Sequence, residues 1–242
     1  MCTNYTPSAR DQLVAMRLGF DQLPAKEWPA EVFPGYEAPL VLADGADATG
    51  GARCVLARFG LVPRWSRDAQ QAKEMSRHTL NARSETVADK PSFRGPWRER
   101  HYALAPMQNF YEPCWEAAAA SAKSVRWRLA QANGEAFAAA ALWERWTDGG
   151  SGEITTSFSL LTVNADAHPL LRRMHRPGDE KRSLVLVAPA DYRAWLQATP
   201  EQAQSLLRCP GADSLVGEPA PRAPLRKAAA PQRWDQTPDL WR

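Results

Sequence analysis

Tight turns between short apolar runs constrain the fold more than any other feature of this chain. Residues 125–131 and 135–143 flank Asn133-Gly134, a dipeptide that favours the two-residue turn of a β-hairpin. Residues 39–43 and 53–59 form an earlier pair of apolar runs, separated by turn-forming residues. Together these patterns predict two hairpins of antiparallel strands.

The rest of the chain adds strands and a few helices. Residues 155–163 and 183–188 have the composition of strands, and residues 191–197 and 200–207 that of helices. A first helix is predicted to start at Ser8 and to end before Gly19, a residue type that commonly terminates helices. Because strands and helices do not alternate, we expect an α+β fold: a single domain with an antiparallel β-sheet or barrel-like core and peripheral helices.

Composition is compatible with one core and one tail. The chain has 242 residues, of which 44% are hydrophobic, enough for one substantial core. We expect a domain over residues 1–216, followed by a Pro/Ala-rich tail over residues 217–242 that is extended or disordered. The net charge of +3 permits nucleic-acid binding without requiring it.

The cysteine pattern and the hydropathy exclude several classes of protein. The four cysteines, at positions 2, 54, 114 and 209, form no C-x-x-C pair and have no histidine at ligand spacing, so we expect no metal site, no disulfide framework and no cofactor. No apolar run approaches the length of a membrane span, and no signal-peptide core is present. We therefore expect a monomer in the cytoplasm, without a membrane partner, where thiols stay reduced.

The segment from His78 to Arg94 combines amide, guanidinium, hydroxyl and carboxylate side chains. So dense a mixture is typical of a functional site. An equally compatible interpretation is a short helix capped by Asn81 or Ser84, with acidic residues in its first turn.

Cys2 offers a specific chemistry if Met1 is removed. Its free α-amino group and its thiol would then lie on one residue, with pKa values of roughly 8 and 8.5. Such a 1,2-aminothiol condenses with an aldehyde to an imine, and the sulfur closes the imine to a thiazolidine ring. A cysteine at the second position also arises by chance, so this feature needs support from elsewhere in the chain.

That support comes from a resemblance to a known family. Cys2, the segment from Phe59 to Trp65, the Asn81-Ala-Arg-Ser-Glu-Thr86 run, the segment from Asn109 to Glu112 and His175 occur in an order similar to that of the SRAP family. SRAP proteins process abasic sites, and their N-terminal cysteine cross-links to abasic DNA. The resemblance extends over roughly residues 1 to 210.

The resemblance implies a catalytic set of Cys2, Asn81, Glu112 and His175. Cys2 would supply the amine and the thiol, and Asn81 would orient Cys2 or the opened sugar. Glu112 and His175 would transfer protons; His168 competes with His175 for this role but matches the family's histidine less well.

The same resemblance, with the chemistry of the side chains, predicts a DNA-binding set. Trp65 would stack on a base next to the lesion, and Arg83 and Arg94 would contact phosphates. Thr162 would add a hydroxyl contact. The alternative for Trp65 is a structural role, in which its side chain packs in the core.

Three positions depart from the family pattern. Thr3-Asn4 replaces the usual Gly-Arg after the cysteine, so a phosphate contact is lost or is supplied elsewhere. Pro113 replaces the usual tryptophan after the glutamate and favours extended backbone at Glu112. His175 is followed by a longer polar loop.

The resemblance implies an abasic-site sensor that forms a covalent thiazolidine cross-link with single-stranded DNA in the DNA damage (SOS) response. A weak lyase activity and autoproteolytic removal of Met1 would accompany it. Two alternatives remain open: an N-terminal-nucleophile cysteine amidohydrolase, in which the amine of Cys2 is the base, and a non-catalytic single-stranded DNA-binding module.

Overall fold

Strands dominate the structure, a computed structural model that describes residues 2–44, 51–115 and 123–222. In this part of the chain eleven strands form one sheet. The strands are β1 Tyr5–Pro7, β2 Glu37–Ala43, β3 Ala52–Phe59, β4 Asn81–Arg83, β5 Tyr102–Cys114, β6 Val125–Gln131, β7 Phe137–Thr147, β8 Ile154–Asn164, β9 Arg182–Leu184, β10 Leu186–Val187 and β11 Leu215–Pro219. The helices are α1 Arg10–Ala15, α2 Ala69–His78, α3 Arg94–Arg98, α4 Tyr192–Gln197 and α5 Pro200–Leu206.

Five of the strands close into a barrel. The order β7-β8-β3-β2-β5 returns to its start because β5 also pairs with β7. Closure satisfies the backbone groups that an open edge would leave unpaired. The sheet is mixed, since β8 pairs in parallel with β3 and with β4, whereas the barrel's other pairings are antiparallel. The predicted α+β fold with a barrel-like core is confirmed.

Both faces of the barrel wall are buried. Phe59, Phe110 and Phe158 belong to the inner cluster of apolar side chains, whereas Trp97 of α3 and Trp195 of α4 belong to the outer cluster, where helices cover the strands. A strand buried on both faces needs apolar residues at every position. This explains why β7 begins with an unbroken apolar run instead of an alternating pattern.

The hairpin predicted at Asn133-Gly134 is wrong. The turn itself is present, with Gly134 at φ +75°, but β6 and β7 do not pair with each other. Instead β6 pairs with the second half of β5 and β7 with its first half, both antiparallel. The two strands therefore run one after the other along the thirteen-residue β5, a partner that a local turn signal cannot reveal.

Other local predictions differ from the structure only in their bounds. The first predicted hairpin is confirmed by the antiparallel β2–β3 pair. The strand predicted over residues 183–188 is split into β9 and β10, which pair with β8 and β7 respectively. Helix α1 starts at Arg10 and not at Ser8, because Ser8 is fully buried and its hydroxyl contacts the sulfur of Met16.

The predicted domain boundary at residue 216 falls inside β11, which continues to Pro219 along β6. Most of the predicted tail, residues 223–242, lies outside the described residues. Within the described part of the chain, no helix has the length and apolar character needed to cross a membrane.

Candidate active site

The end of β5 brings two distant parts of the chain toward Glu112. Strand β1 pairs with β5 through Tyr5 and Phe110, and the Tyr111 amide donates to the Asn4 carbonyl at 3.1 Å. The N-terminal residues are thereby carried toward Glu112. Just beyond it, the His175 amide donates to the Pro113 carbonyl at 2.7 Å. One strand thus positions both the N-terminus and the loop that contains His175.

Cys2 lies in the inner cluster of the barrel, with 1% of its surface exposed. Its sulfur donates to the Asn4 carbonyl at 3.4 Å. The Nδ2 amide of Asn81, the first residue of β4, donates to the Cys2 carbonyl at 2.8 Å. Two hydrogen bonds therefore fix the backbone and the thiol of the residue predicted to react.

The Cys2 thiol is held in its neutral form. Burial raises its pKa to about 12, and the negative charge of Glu112 adds to this effect. At neutral pH only a very small fraction of this thiol is ionised in the chain that still carries Met1. The thiol is therefore not a preformed thiolate in this environment.

Glu112 and His175 form a buried pair. The Nε2 atom of His175 lies 2.9 Å from the Oε2 atom of Glu112, and the two residues are 8% and 3% exposed. A carboxylate in hydrogen-bond contact with an imidazole is a common arrangement for moving a proton near neutral pH. Because the negative charge of Glu112 raises the pKa of the Cys2 thiol, the pair is electrostatically coupled to the predicted nucleophile.

The backbone of His175 is strained. Its φ angle of +60° lies in the left-handed region, where residues other than glycine are uncommon. The bond to Pro113 and a hydrogen bond from Lys181 Nζ to the His175 carbonyl at 3.4 Å hold this conformation. Strain of this kind persists where the surroundings fix it and often marks a functional position.

A basic pocket of about 370 Å³ opens on the His175 side of the pair. Arg172, Arg173 and Lys181 line it together with Trp115. Arg182 follows Lys181 in the sequence but does not line this pocket: it is 2% exposed and binds Glu85 and Glu180. Its charge therefore stabilises the fold and does not face the pocket.

Trp65 and Arg94 share a second, larger groove. They line a cavity of about 560 Å³ with Arg64, Arg98 and Glu144. Trp65 is 45% exposed and is not part of the core, so its indole face is accessible. The structure thus brings together two of the four residues predicted to bind DNA.

The other two predicted DNA contacts lie in different surroundings. Arg83 is half-exposed and forms an ion pair with Glu180 at 2.8 Å. Thr162 is 1% exposed; its hydroxyl donates to the Ala82 carbonyl at 3.3 Å and accepts from Arg182 at 3.2 Å. Thr162 is therefore a structural residue between β4 and β9, and the prediction of a surface contact there is corrected.

Two further residues at the site have no signal in the sequence. Arg126 on β6 binds the Asn4 side chain at 2.7 Å, contacts Glu31 and lies over the Tyr111 ring. Glu144 on β7 is 2% exposed and receives two hydrogen bonds from Arg64. Both residues sit in ordinary strand patterns, so only the pairing of distant strands reveals their positions.

The comparisons with known proteins agree over most of the chain. Abasic site processing protein YoqW of Bacillus subtilis is 26% identical over 238 residues, which cover 93% of this chain and 97% of that protein. Abasic site processing protein YoaM of the same organism is 27% identical and covers 89% of this chain and 88% of that protein. A crystal structure of a protein from Bordetella bronchiseptica has a TM-score of 0.80 and 29% identity, covering 90% of this chain and 99% of that one.

A family model matches the same part of the chain. The model of the SOS response associated peptidase (SRAP) family covers residues 1–221, a span that includes β11 and all residues of the site described above. The chain belongs to the SRAP family.

Proposed function

We propose that this protein captures abasic sites in single-stranded DNA by forming a thiazolidine between Cys2 and the ring-opened sugar aldehyde. The observation that supports this most directly is the buried Cys2, held by Asn81 and placed beside the Glu112–His175 pair. The names of the B. subtilis relatives refer to abasic site processing, which agrees with this chemistry.

The neutral thiol sets the order of the steps. Once Met1 is removed, the free amine of Cys2 attacks C1′ of the aldehyde, and the resulting carbinolamine loses water to give an imine. The thiol then adds to the imine carbon: a C–S bond forms, the C=N electron pair moves to nitrogen, and nitrogen gains the proton that sulfur loses. The sum is aldehyde plus aminothiol giving thiazolidine plus water.

Glu112 and His175 carry the protons in this scheme. Protonated His175 or Glu112 gives a proton to the departing water and recovers one from the amine nitrogen as the imine forms. The Glu112 carboxylate then accepts the proton of the thiol whose pKa it raises and passes it to the ring nitrogen. Asn81 keeps the Cys2 backbone in place through its bond to the carbonyl oxygen. The buried surroundings of Cys2 exclude bulk water and so protect the imine from hydrolysis.

The surfaces that flank the reactive site bind the DNA. Trp65 offers an exposed ring for stacking, and Arg94 lies in the same groove. The basic pocket beside His175 offers three cationic side chains to a phosphate. Arg83 would join this surface by exchanging Glu180 for a phosphate.

Two minor activities follow from the same intermediate and the same residue. β-Elimination of the 3′ phosphate from the imine would give a weak lyase activity, which the thiazolidine suppresses. Removal of Met1 by the protein's own site would be the peptidase activity. Capture or lyase cleavage of abasic sites would place the protein in the DNA damage response.

The decisive experiment mixes the protein with an oligonucleotide that carries one abasic site and resolves the products on a denaturing gel. We expect a covalent adduct, absent with Cys2→Ala and absent when the abasic sugar is reduced to an alcohol. Cys2→Ser retains the amine but lacks the thiol, so it should give an adduct only after borohydride reduction. Cys209→Ala is the matched control because Cys209 is an exposed free cysteine.

The intact mass of the protein distinguishes two causes of a missing adduct. If Met1 is absent and no adduct forms, the proposed function is wrong. If Met1 is retained, the experiment is repeated on chain produced with an authentic N-terminal cysteine, and absence of an adduct there has the same meaning.

A further inference from the structure

A small groove beside Cys2 contains two arginines that no step of the proposed reaction uses. It has a volume of about 310 Å³, and its wall includes Glu112 and the two residues that follow Cys2. Arg126 and Arg222 line the same groove.

The two guanidinium groups are held in place by aromatic rings and by the backbone. Arg126 lies over the Tyr111 ring with 3.3 Å to the ring centre, and its Nη1 donates to the Ala220 carbonyl at 3.2 Å. Arg222 lies over the Phe33 ring at 4.7 Å. A guanidinium fixed on an aromatic face loses little conformational freedom when it binds an anion.

Strand β11 brings Arg222 to this position. Pairing of β11 with β6 extends to Pro219 opposite Trp127, and the Ala220 amide donates to the Arg126 carbonyl at 2.9 Å. Arg222 follows two residues later, with its Nη2 atom 3.5 Å from the Asn4 side-chain oxygen. The C-terminal strand is therefore part of the surroundings of Cys2.

A carboxylate already occupies the space between the two arginines. The Oε1 atom of Glu31 contacts Arg126 and lies 3.6 Å from Arg222 Nη2. One anionic oxygen shared by two guanidinium groups is the arrangement that a phosphate oxygen takes between two arginines. The cluster carries one positive charge in excess, and Glu31 is one-third exposed, so it can swing into solvent.

We propose that Arg126 and Arg222 form a binding site for a backbone phosphate of the DNA strand next to Cys2, which Glu31 occupies in the free protein. This inference rests on the proposed function. DNA binding then exchanges the Glu31 carboxylate for a phosphodiester, and Glu31 acts as a competitor that weakens the binding of undamaged DNA. The site also supplies the cationic contact that Asn4 cannot make, since the Asn4 side chain is buried and bound to Arg126.

Two variants, one that removes a negative charge and one that removes a positive charge, test whether a phosphate replaces Glu31. Binding of an undamaged single-stranded oligonucleotide is measured by fluorescence anisotropy at several salt concentrations. Glu31→Gln should bind about fivefold tighter, because phosphate binding no longer has to break an attraction between opposite charges about 4 Å apart in water. Arg222→Ala should bind more weakly, and its plot of log affinity against log salt should be shallower by about 0.7, the value for one lost phosphate contact on a single strand.

Arg10 and Glu27 provide matched controls. Arg10 lies over Trp28 and pairs with Glu27 at 2.9 Å, which repeats the same chemistry outside the groove. Glu27→Gln and Arg10→Ala change the net charge by the same amounts and should leave both the affinity and the salt slope nearly unchanged. If Glu31→Gln binds no tighter than Glu27→Gln, or Arg222→Ala keeps the slope of Arg10→Ala, the phosphate site is wrong. A lower melting temperature and weaker binding of Glu31→Gln would likewise identify a purely structural ion pair.

The same variants separate this inference from the proposed function. If the abasic oligonucleotide cross-links through Cys2 while the groove variants behave like their controls, the phosphate site is refuted and the function stands. If undamaged DNA responds as predicted but no adduct forms with the free N-terminal cysteine, the function is refuted and the phosphate site stands.

Discussion

Replacing Glu112 with glutamine removes one charge from the site while keeping the shape of the side chain. The amide can still accept a hydrogen bond, but it cannot take up or release a proton. In the structure this carboxylate contacts His175 at 2.9 Å and raises the pKa of the Cys2 thiol. The substitution therefore affects proton transfer, the imidazole and the thiol together.

The magnitude follows from these three effects. Loss of a positioned acid or base slows a reaction by about 10²- to 10⁴-fold, which is about 2.7 to 5.4 kcal/mol in the barrier. Removal of the charge lowers the pKa of Cys2, but burial is the larger cause of its shift, so the thiol stays mostly protonated at neutral pH and gains little reactivity. Because the amide still accepts the hydrogen bond, only its charge-assisted part is lost, which costs about 1 to 1.5 kcal/mol of stability.

The assay is a time course of adduct formation under single-turnover conditions, with the abasic oligonucleotide limiting. We expect Glu112→Gln to cross-link at least about a hundredfold more slowly than the unmodified chain, at a temperature where both are folded. Glu218→Gln, in an exposed ion pair with Arg128, is the control and should react at the normal rate. A Glu112→Gln rate within tenfold of normal would refute the role of the carboxylate in proton transfer.

Three further predictions test the surroundings of the site. Asn81→Ala removes the 2.8 Å bond to the Cys2 carbonyl and should slow cross-linking by about two- to tenfold, as expected for one hydrogen bond; an unchanged rate would contradict this. Burial raises the pKa of Cys2 from 9.0 to about 12, so at pH 8 the thiol of the folded chain should be alkylated roughly a thousandfold more slowly than after unfolding, as followed by peptide mass spectrometry. Because folding raises the pKa of the Cys2 thiol, the contribution of this thiol to the free energy of unfolding is fully present below pH 9 and is lost as the pH rises toward 12. Equal alkylation rates of the folded and the unfolded chain would refute the raised pKa. Arg182→Ala removes a buried guanidinium that binds the partly exposed Glu85 and Glu180 and should lower the free energy of unfolding in urea by about 1.5 to 3 kcal/mol, whereas Arg128→Ala at the surface should cost less than about 1 kcal/mol; equal losses would argue against a structural role of Arg182.

Much of the fold could be predicted from local patterns. The β2–β3 hairpin, strand β8 and helices α4 and α5 were all expected close to their observed bounds, because periodicity and turn residues act over a few positions. The partner of each strand was not predictable in this way. Asn133-Gly134 forms its turn, but the strands on either side pair with β5, whose length and curvature result from packing on both faces.

In the candidate site, too, the sequence predicts individual residues and the structure shows their contacts. Motifs identified Cys2, Asn81, Glu112 and His175, and the structure connects them by contacts that span up to 79 residues of sequence. It assigns Thr162 to the interior, since a hydroxyl at a strand end gives no local sign of burial.

The sequence by itself determined the family, the strand-rich composition and the residue types available for reaction with an aldehyde. Only the tertiary structure decided that the Cys2 thiol is neutral, that Glu112 meets His175, and that Glu31 lies between two arginines. The physical reason is that a thiol's pKa and a carboxylate's partner depend on desolvation and on distance in space. Both are set by the pairing of distant strands, which brings residues from opposite ends of the chain together.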